Sequence, residues 1–333
     1  MTTFNMTVVK IFPLLAMTAA QGVAYAETTS SEPATLVSAS PEAPTIRQPQ
    51  SLPWQLRPMI AGNVVSVATA AAVFNDTQGN LDIAVPTVFA AIYQLTSHWT
   101  PTIKLGVVRN NAPGAALDGT TLANPVLGAT YTRALGASRI AVFGATTIPI
   151  GTGGGDSPNL RAAETNAAAT AARPADSAMF AVDYLAGIVG VDVAYLGCDF
   201  TAQAEMTLLH FVRARGGDSG GATDAFRTQA TLGVHVSYFF GTHFSLSSDL
   251  HHRRWLSSPT TANATPGPHI TFAGAGLNTT SAAVGPRFHF QLGQRGWVRP
   301  GLSFVRGFDA RGFGAPLITA QATAVQLDIP VTF

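Results

Sequence analysis

Apolar and polar side chains alternate along most of this chain, and the last ten residues show the pattern most cleanly. Val325, Leu327, Ile329, Val331 and Phe333 share one face, and Ala324, Gln326, Asp328, Pro330 and Thr332 share the other. Successive side chains of an extended strand point to opposite sides, so this is a strand with one apolar and one polar face. Residues 283–292 repeat it, with Val284, Pro286, Phe288, Phe290 and Leu292 against Arg287, His289 and Gln291. In 226–240, Leu232, Val234, Val236 and Tyr238 oppose Arg227, Gln229, Thr231 and His235. In 244–256, Phe244, Leu246 and Leu250 oppose Asp249, His251 and Arg253. The first such segment, 56–75, is blurred by Ala and Val on both faces.

Twelve segments carry the period: 56–75, 82–97, 102–110, 122–134, 139–150, 186–197, 200–216, 225–239, 243–257, 278–292, 297–309 and 324–333. Most reach the roughly 9–11 residues that a tilted strand needs to cross a bilayer, against about 5–6 in a typical soluble strand. Their connections alternate in length. Short ones fall at 98–101, 136–138, 198–199, 241–242 and 293–296, and long ones near 76–81, 111–121, 151–185, 217–224, 258–277 and 310–323. Tight periplasmic turns and longer external loops give a membrane barrel that asymmetry. Trp54, Trp99 and Trp297, with Phe200, Phe240 and Phe333, fall beside the periplasmic ends, where an aromatic girdle belongs. An even strand number lets the ends of the sheet meet and removes its edges. The best candidate for a membrane helix, 179–197, is interrupted by Asp183 and Asp192, each costing about 2.5–3.5 kcal/mol near a helix centre. The expected fold is all-β: a transmembrane antiparallel β-barrel of about twelve strands over 54–333, with short periplasmic turns and long external loops. A soluble exported β-sandwich is the weaker alternative.

Composition agrees. Charged residues make up 11% of the 333, where a soluble domain carries about 25%; this excludes a coiled coil, a charge-rich tail and an ordinary charged-surface enzyme. Lys10, an apolar run over 11–20 and Ala24-Tyr25-Ala26 form the three parts of a secretory signal peptide, residues 1–26, with cleavage after Ala26. Its apolar part is too short to span a bilayer. The remaining chain carries 18 basic and 18 acidic residues, so no basic patch for nucleic acid is implied. Residues 27–53 are rich in Ser, Thr and Pro without an apolar period and read as a flexible leader. The lone Cys198 excludes an internal disulfide and any multi-cysteine metal site.

An exported chain that ends on Val325-x-Leu327-x-Ile329-x-Val331-x-Phe333 resembles bacterial outer-membrane β-barrel proteins. The resemblance implies that Phe333 is the signal read by the barrel-assembly machinery. It also implies a place among outer-membrane lipid and lipopolysaccharide. The segments Asn124-Pro-Val-Leu-Gly-Ala-Thr130 and Thr147-Ile-Pro-Ile-Gly-Thr152 are similar to the barrels of aromatic-compound and phenol-pathway transporters.

If the apolar parity faces lipid, the other parity lines the lumen. Lys104, Asp192, Gln203, Glu205, Arg227, Gln229, His235, Asp249, His251, Arg253, Arg287, His289, Arg299, Gln326 and Asp328 then point inward. Asp192, Glu205, His235, Asp249, Arg287 and Asp328 lie at similar depth and form a belt of opposite charges across the periplasmic half. The turns place Asp192 opposite Glu205 and His235 opposite Asp249; the acidic pair needs an arginine between its members or a shared proton. Such a belt reads either as an electrostatic constriction or as a salt-bridge network that fills a narrow barrel. Other chemistry is weaker. His235-Val-Ser237 resembles the His-x-Ser of outer-membrane phospholipases and lipid deacylases, but Tyr238 stands where those families have Asn. Gly151-Thr-Gly-Gly-Gly-Asp156 has no Lys in P-loop spacing and reads as an external turn. Neither a metal site nor a cofactor is implied. Residues 151–185 are long for a structureless loop, and short helices at 161–173 and 179–185 would make them the gate. The expected function is passive diffusion of small solutes, apolar or aromatic ones included, through a charged lumen. The alternative is a closed structural or adhesion barrel; a lipid hydrolase comes last.

Overall fold

Strands form where the sequence alternates. A computed structural model describes residues 51–59, 62–75, 81–110, 119–152, 169–170, 173–215, 225–257, 279–294, 296–309 and 323–333. The expected export signal (1–26), most of the expected leader (27–53) and large parts of the expected external loops lie outside these described residues. The strands are β1 (Val64–Asn75), β2 (Leu81–Ile92), β3 (Trp99–Asn110), β4 (Gly119–Leu122), β5 (Val126–Leu135), β6 (Ser138–Thr147), β7 (Tyr184–Leu196) and β8 (Phe200–Arg213). They continue with β9 (Phe226–Phe239), β10 (Phe244–Trp255), β11 (Thr279–Phe288), β12 (Phe290–Leu292), β13 (Gly296–Val298), β14 (Gly301–Asp309) and β15 (Thr323–Thr332). All pairings are antiparallel, and β1 pairs with both β2 and β15, so the sheet closes with no free edge.

Three strands are interrupted, which makes twelve staves of fifteen segments. Ala123–Pro125 separates β4 from β5, His289 separates β11 from β12, and Arg299 with Pro300 separates β13 from β14. Two of these breaks hold a proline, which has no N–H to give the ladder.

The burial pattern alternates with the sequence. On β15, Val325, Leu327 and Ile329 are 48%, 40% and 39% exposed, whereas Ala324, Gln326 and Asp328 are buried. The outward residues therefore face acyl chains, where an arginine or lysine would cost about 2–4 kcal/mol at mid-depth. Trp99, Phe200, Phe240 and Phe333 lie exposed at the periplasmic end.

Several boundaries move. The first strand begins at Val64 rather than 56; residues 51–59 lie inside the barrel. Trp54 is consequently no girdle residue but is 4% exposed in the interior. The first periplasmic turn is 93–98, not 98–101, because Leu95 and Thr96 N–H both close on the Trp99 carbonyl. The helix placed at 179–185 is instead one turn, α1 (Ser177–Phe180), after a 3-10 turn at Pro174–Asp176, and Tyr184 already opens β7. Of the helix expected at 161–173, only 169–170 fall among the described helical residues.

Candidate functional site

The interior holds two segments that are not part of the wall. The first is Ser51–Met59, an irregular stretch with prolines at 53 and 58. An irregular backbone inside a barrel must find its hydrogen bonds among inward side chains, and this one does. The N–H groups of Trp54 and Gln55 donate to Asp249 Oδ2 at 2.7 and 2.8 Å, and that of Arg57 to Glu205 Oε2 at 2.8 Å. In return the carbonyls of Trp54, Arg57 and Met59 accept from Gln326, Gln203 and Arg139. Side chains add to this. Arg57 Nη1 donates to Glu205 Oε1 at 2.7 Å, and its guanidinium lies 3.8 Å from the Phe143 ring centroid. The Arg287 guanidinium lies 4.1 Å from the Trp54 ring. Gly301 and Gly233 make the fit possible: a Cβ on either would collide with Trp54 or Leu56.

The second segment is the connection from β6 to β7. Asn124, at the break between β4 and β5, is its latch. Its Nδ2 donates to the carbonyls of Ala181 and Tyr184, its Oδ1 accepts from the Gly151 N–H, and its own N–H donates to Met179 O. Met179, Phe180 and Ala178 pack with Val108, Val126 and Ile188 of the wall into an apolar cluster. Lys104 Nζ donates to Asp176 Oδ1 at 2.9 Å, and Arg173 pairs with the other carboxylate oxygen at 2.7 Å. Burial alone would raise the Asp176 pKa, but the two cations hold the carboxyl well below the usual carboxylate range.

The residues singled out from the sequence occupy these places. Asp192 sits directly across the β7–β8 pair from Glu205. The arginine that the acidic pair needed comes from outside the wall: Arg57 takes Glu205, while Gln203 donates to Asp192 Oδ2 at 2.8 Å. His235 Nδ1 lies 2.6 Å from Asp249 Oδ1, fully buried. Arg287 Nη2 donates to Asp328 Oδ2 at 2.9 Å and its Nη1 to the Arg299 carbonyl. Arg299 itself is buried beside His289 and Arg287. Arg227 stacks near Tyr184, away from the belt, and Arg253 is buried further toward the external end of β10. Lys104 belongs to the loop contact rather than the belt. Ser237 does not pair with His235; its hydroxyl donates to the Leu246 carbonyl and accepts from Ser247. Among the described residues no cluster of three or more His, Cys, Asp or Glu is placed to hold a metal ion. Residues 51–59 were missed as site residues because Trp54-Gln55-Leu56-Arg57 keeps the strand period; the signal against a strand was the pair Pro53 and Pro58, which have no N–H for a ladder.

Between the two segments lies a cavity of ≈ 60 Å³. Arg57 and Met59 close it on one side, Asp176 and Met179 on the other, and β2, β3, β5, β6 and β7 form its wall.

The fold so described is that of an outer-membrane β-barrel. No protein-family model matches the chain, and no curated protein sequence matches it either. Among solved structures it is similar to an outer membrane channel from Pseudomonas putida F1, at 12% identity and a TM-score of 0.57, over 88% of this chain and 100% of that one. It also overlaps the NanC porin at 9% identity and a TM-score of 0.47, over 81% of this chain and 98% of that one. For the CymD monoaromatic hydrocarbon channel the values are 10% and 0.37, over 83% and 89%. The likeness to the Pseudomonas channel shows the fold and nothing finer.

Proposed function

We propose that the protein is an outer-membrane channel for passive diffusion of small solutes, apolar and aromatic ones included, closed at rest by two pieces of its own chain. The observation that carries this reading is the chemistry of the closure. Ser51–Met59 leads into β1 and 173–183 into β7, and both are held in the lumen by hydrogen bonds and ion pairs to inward side chains rather than by ladder pairing, so each can leave without opening the sheet. The belt residues Asp192, Glu205, His235, Asp249, Arg287 and Asp328 then serve as the constriction. A hydrolase reading loses its support, because Ser237 and His235 are engaged elsewhere. The rival is a closed structural barrel, favoured by the filled interior. Planar-bilayer recording and liposome swelling separate them: unitary currents and solute entry support the channel, and silence at every voltage supports the closed barrel. Cleavage after Ala26 and assembly through Phe333 belong to the same reading. So does contact with lipopolysaccharide, for which Arg109 and Arg254, exposed near the external ends of β3 and β10, offer partners to anionic headgroups.

A further inference from the structure

We propose that the cavity between the two closing segments binds a small carboxylate with a compact apolar body; this rests on the channel reading and names its solute class. The polar part of the cavity lining offers hydrogen-bond donors in excess. Lys104 gives one of its three N–H groups to Asp176 and keeps two. Arg57 commits Nη1 to Glu205 and Thr207, while its Nη2 and Nε make no hydrogen bond among the described residues. Both side chains remain 25% exposed although they lie inside the barrel, because they border this space. The hydroxyls of Thr102, Thr130 and Thr132 face the same cavity and likewise make no hydrogen bond among the described residues. The one acidic side chain in the lining, Asp176, already has both oxygens occupied by Lys104 and Arg173. Spare donors without a spare acceptor select an anion, and a planar carboxylate matches a guanidinium edge.

The rest of the lining is largely apolar. Phe143, Val126, Ile188, Ile92, Met59 and Met179 contribute to it, so a hydrated inorganic anion would leave this surface unsatisfied while an apolar body would cover it. A volume of ≈ 60 Å³ holds about four to six waters at roughly 10–15 Å³ each. That is the scale of a benzoate or a short-chain fatty acid, not of an oligosaccharide or a long-chain lipid.

Titration calorimetry on the purified, detergent-solubilised protein tests this with benzoate, benzyl alcohol and benzylammonium as probes. Benzoate is expected to bind saturably, and the neutral and cationic analogues about tenfold or more weaker, since charge-assisted hydrogen bonds separate them. Lys104→Met should weaken benzoate about tenfold; Thr130→Val, which leaves the Lys104–Asp176 pair intact, should weaken it about threefold. Heat-modifiable gel mobility certifies each barrel as folded, and if Lys104→Met fails that check, Thr130→Val decides. Benzylammonium binding as tightly as benzoate, or an unchanged benzoate affinity in the folded variants, overturns the proposal. Saturable binding without benzoate flux overturns the channel and keeps the site. Flux without saturable binding overturns the site and keeps the channel.

Discussion

Asp249 is the residue whose loss should free the inner N-terminal segment. One of its carboxylate oxygens accepts the N–H groups of both Trp54 and Gln55, and the other meets His235. In Asp249→Ala these two backbone donors have no partner while the segment stays seated, but they regain water once it leaves. A buried unsatisfied donor costs about 1–3 kcal/mol, so the seated state loses about 2–6 kcal/mol relative to the released one. Even about 3 kcal/mol raises the released population roughly a hundredfold. The assay uses Leu56→Cys, which lies 8% exposed in the seated segment, in a background where the exposed Cys198 is replaced by Ser. Maleimide labelling at position 56 should accelerate by about the same factor in Asp249→Ala, and unitary conductance should rise. Thr121→Val, a buried change on β4, a strand that holds none of the segment's hydrogen-bond partners, serves as control and should alter neither. A folded Asp249→Ala barrel that labels and conducts like the parent would refute the view that Asp249 holds the segment.

Three further outcomes are expected. Arg287→Ala leaves Asp328 as an unpaired interior carboxylate and removes the face on which Trp54 stacks; the barrel's heat-modifiable transition should drop, with a loss of about 3–5 kcal/mol by denaturant titration. Asn124→Ala deletes the side-chain hydrogen bonds that tether Gly151, Ala181 and Tyr184, so amide exchange over 173–183 should speed up while that of β8 and β9 stays put. The Asp176 contact should be insensitive to mild acid. Its folded pKa is depressed, so its contribution is complete above the ordinary carboxylate value of about 4 and fades only as pH falls through the lower folded value. Amide exchange of the loop should therefore be governed by the same contact from pH 7 down to about 4 once intrinsic rates are corrected; loss of protection already near pH 5 would contradict the assignment, and Asp176→Asn should loosen the loop at any pH.

The wall was legible because lipid enforces a strict rule. Every second residue of β7 to β11 and β15 must be apolar or pay for exposure to hydrocarbon, so the period of two survives in the sequence and fixes facing and register together. Thus Asp192 across from Glu205, and His235 across from Asp249, follow from turn length alone. β1 was harder because small Ala and Val residues satisfy either face, and its start slid eight residues toward the N-terminus. The contents of the lumen were not legible for a different reason. Ser51–Met59 and Pro174–Phe180 have no repeating period; their positions are set by single long-range partners such as Asp249 and Asn124, nearly 200 and about 55 residues away. The acidic pair on β7 and β8 did announce a missing cation. Nothing in the strand pattern could say that Arg57, read as the second residue of a strand over 56–75, would supply it.

The two closing segments stand on opposite sides of one cavity, and this arrangement has a kinetic consequence. Arg57 belongs to the inner N-terminal segment and Asp176 to the β6–β7 connection, while Lys104 is fixed on β3. A carboxylate that uses the spare donors of Lys104 and Arg57 leaves both existing ion pairs intact, so it binds the closed state better than a state from which Arg57 has departed. By linkage, such a ligand at ten times its Kd stabilises closure by about 1.4 kcal/mol, enough to slow maleimide labelling at Leu56→Cys about tenfold. Flux of benzoate should accordingly saturate as the site fills, because exit then waits on release of the segment, whereas flux of benzyl alcohol should keep rising in proportion to its concentration. Linear benzoate flux together with unslowed labelling would mean that the solute passes without ever resting between the two segments.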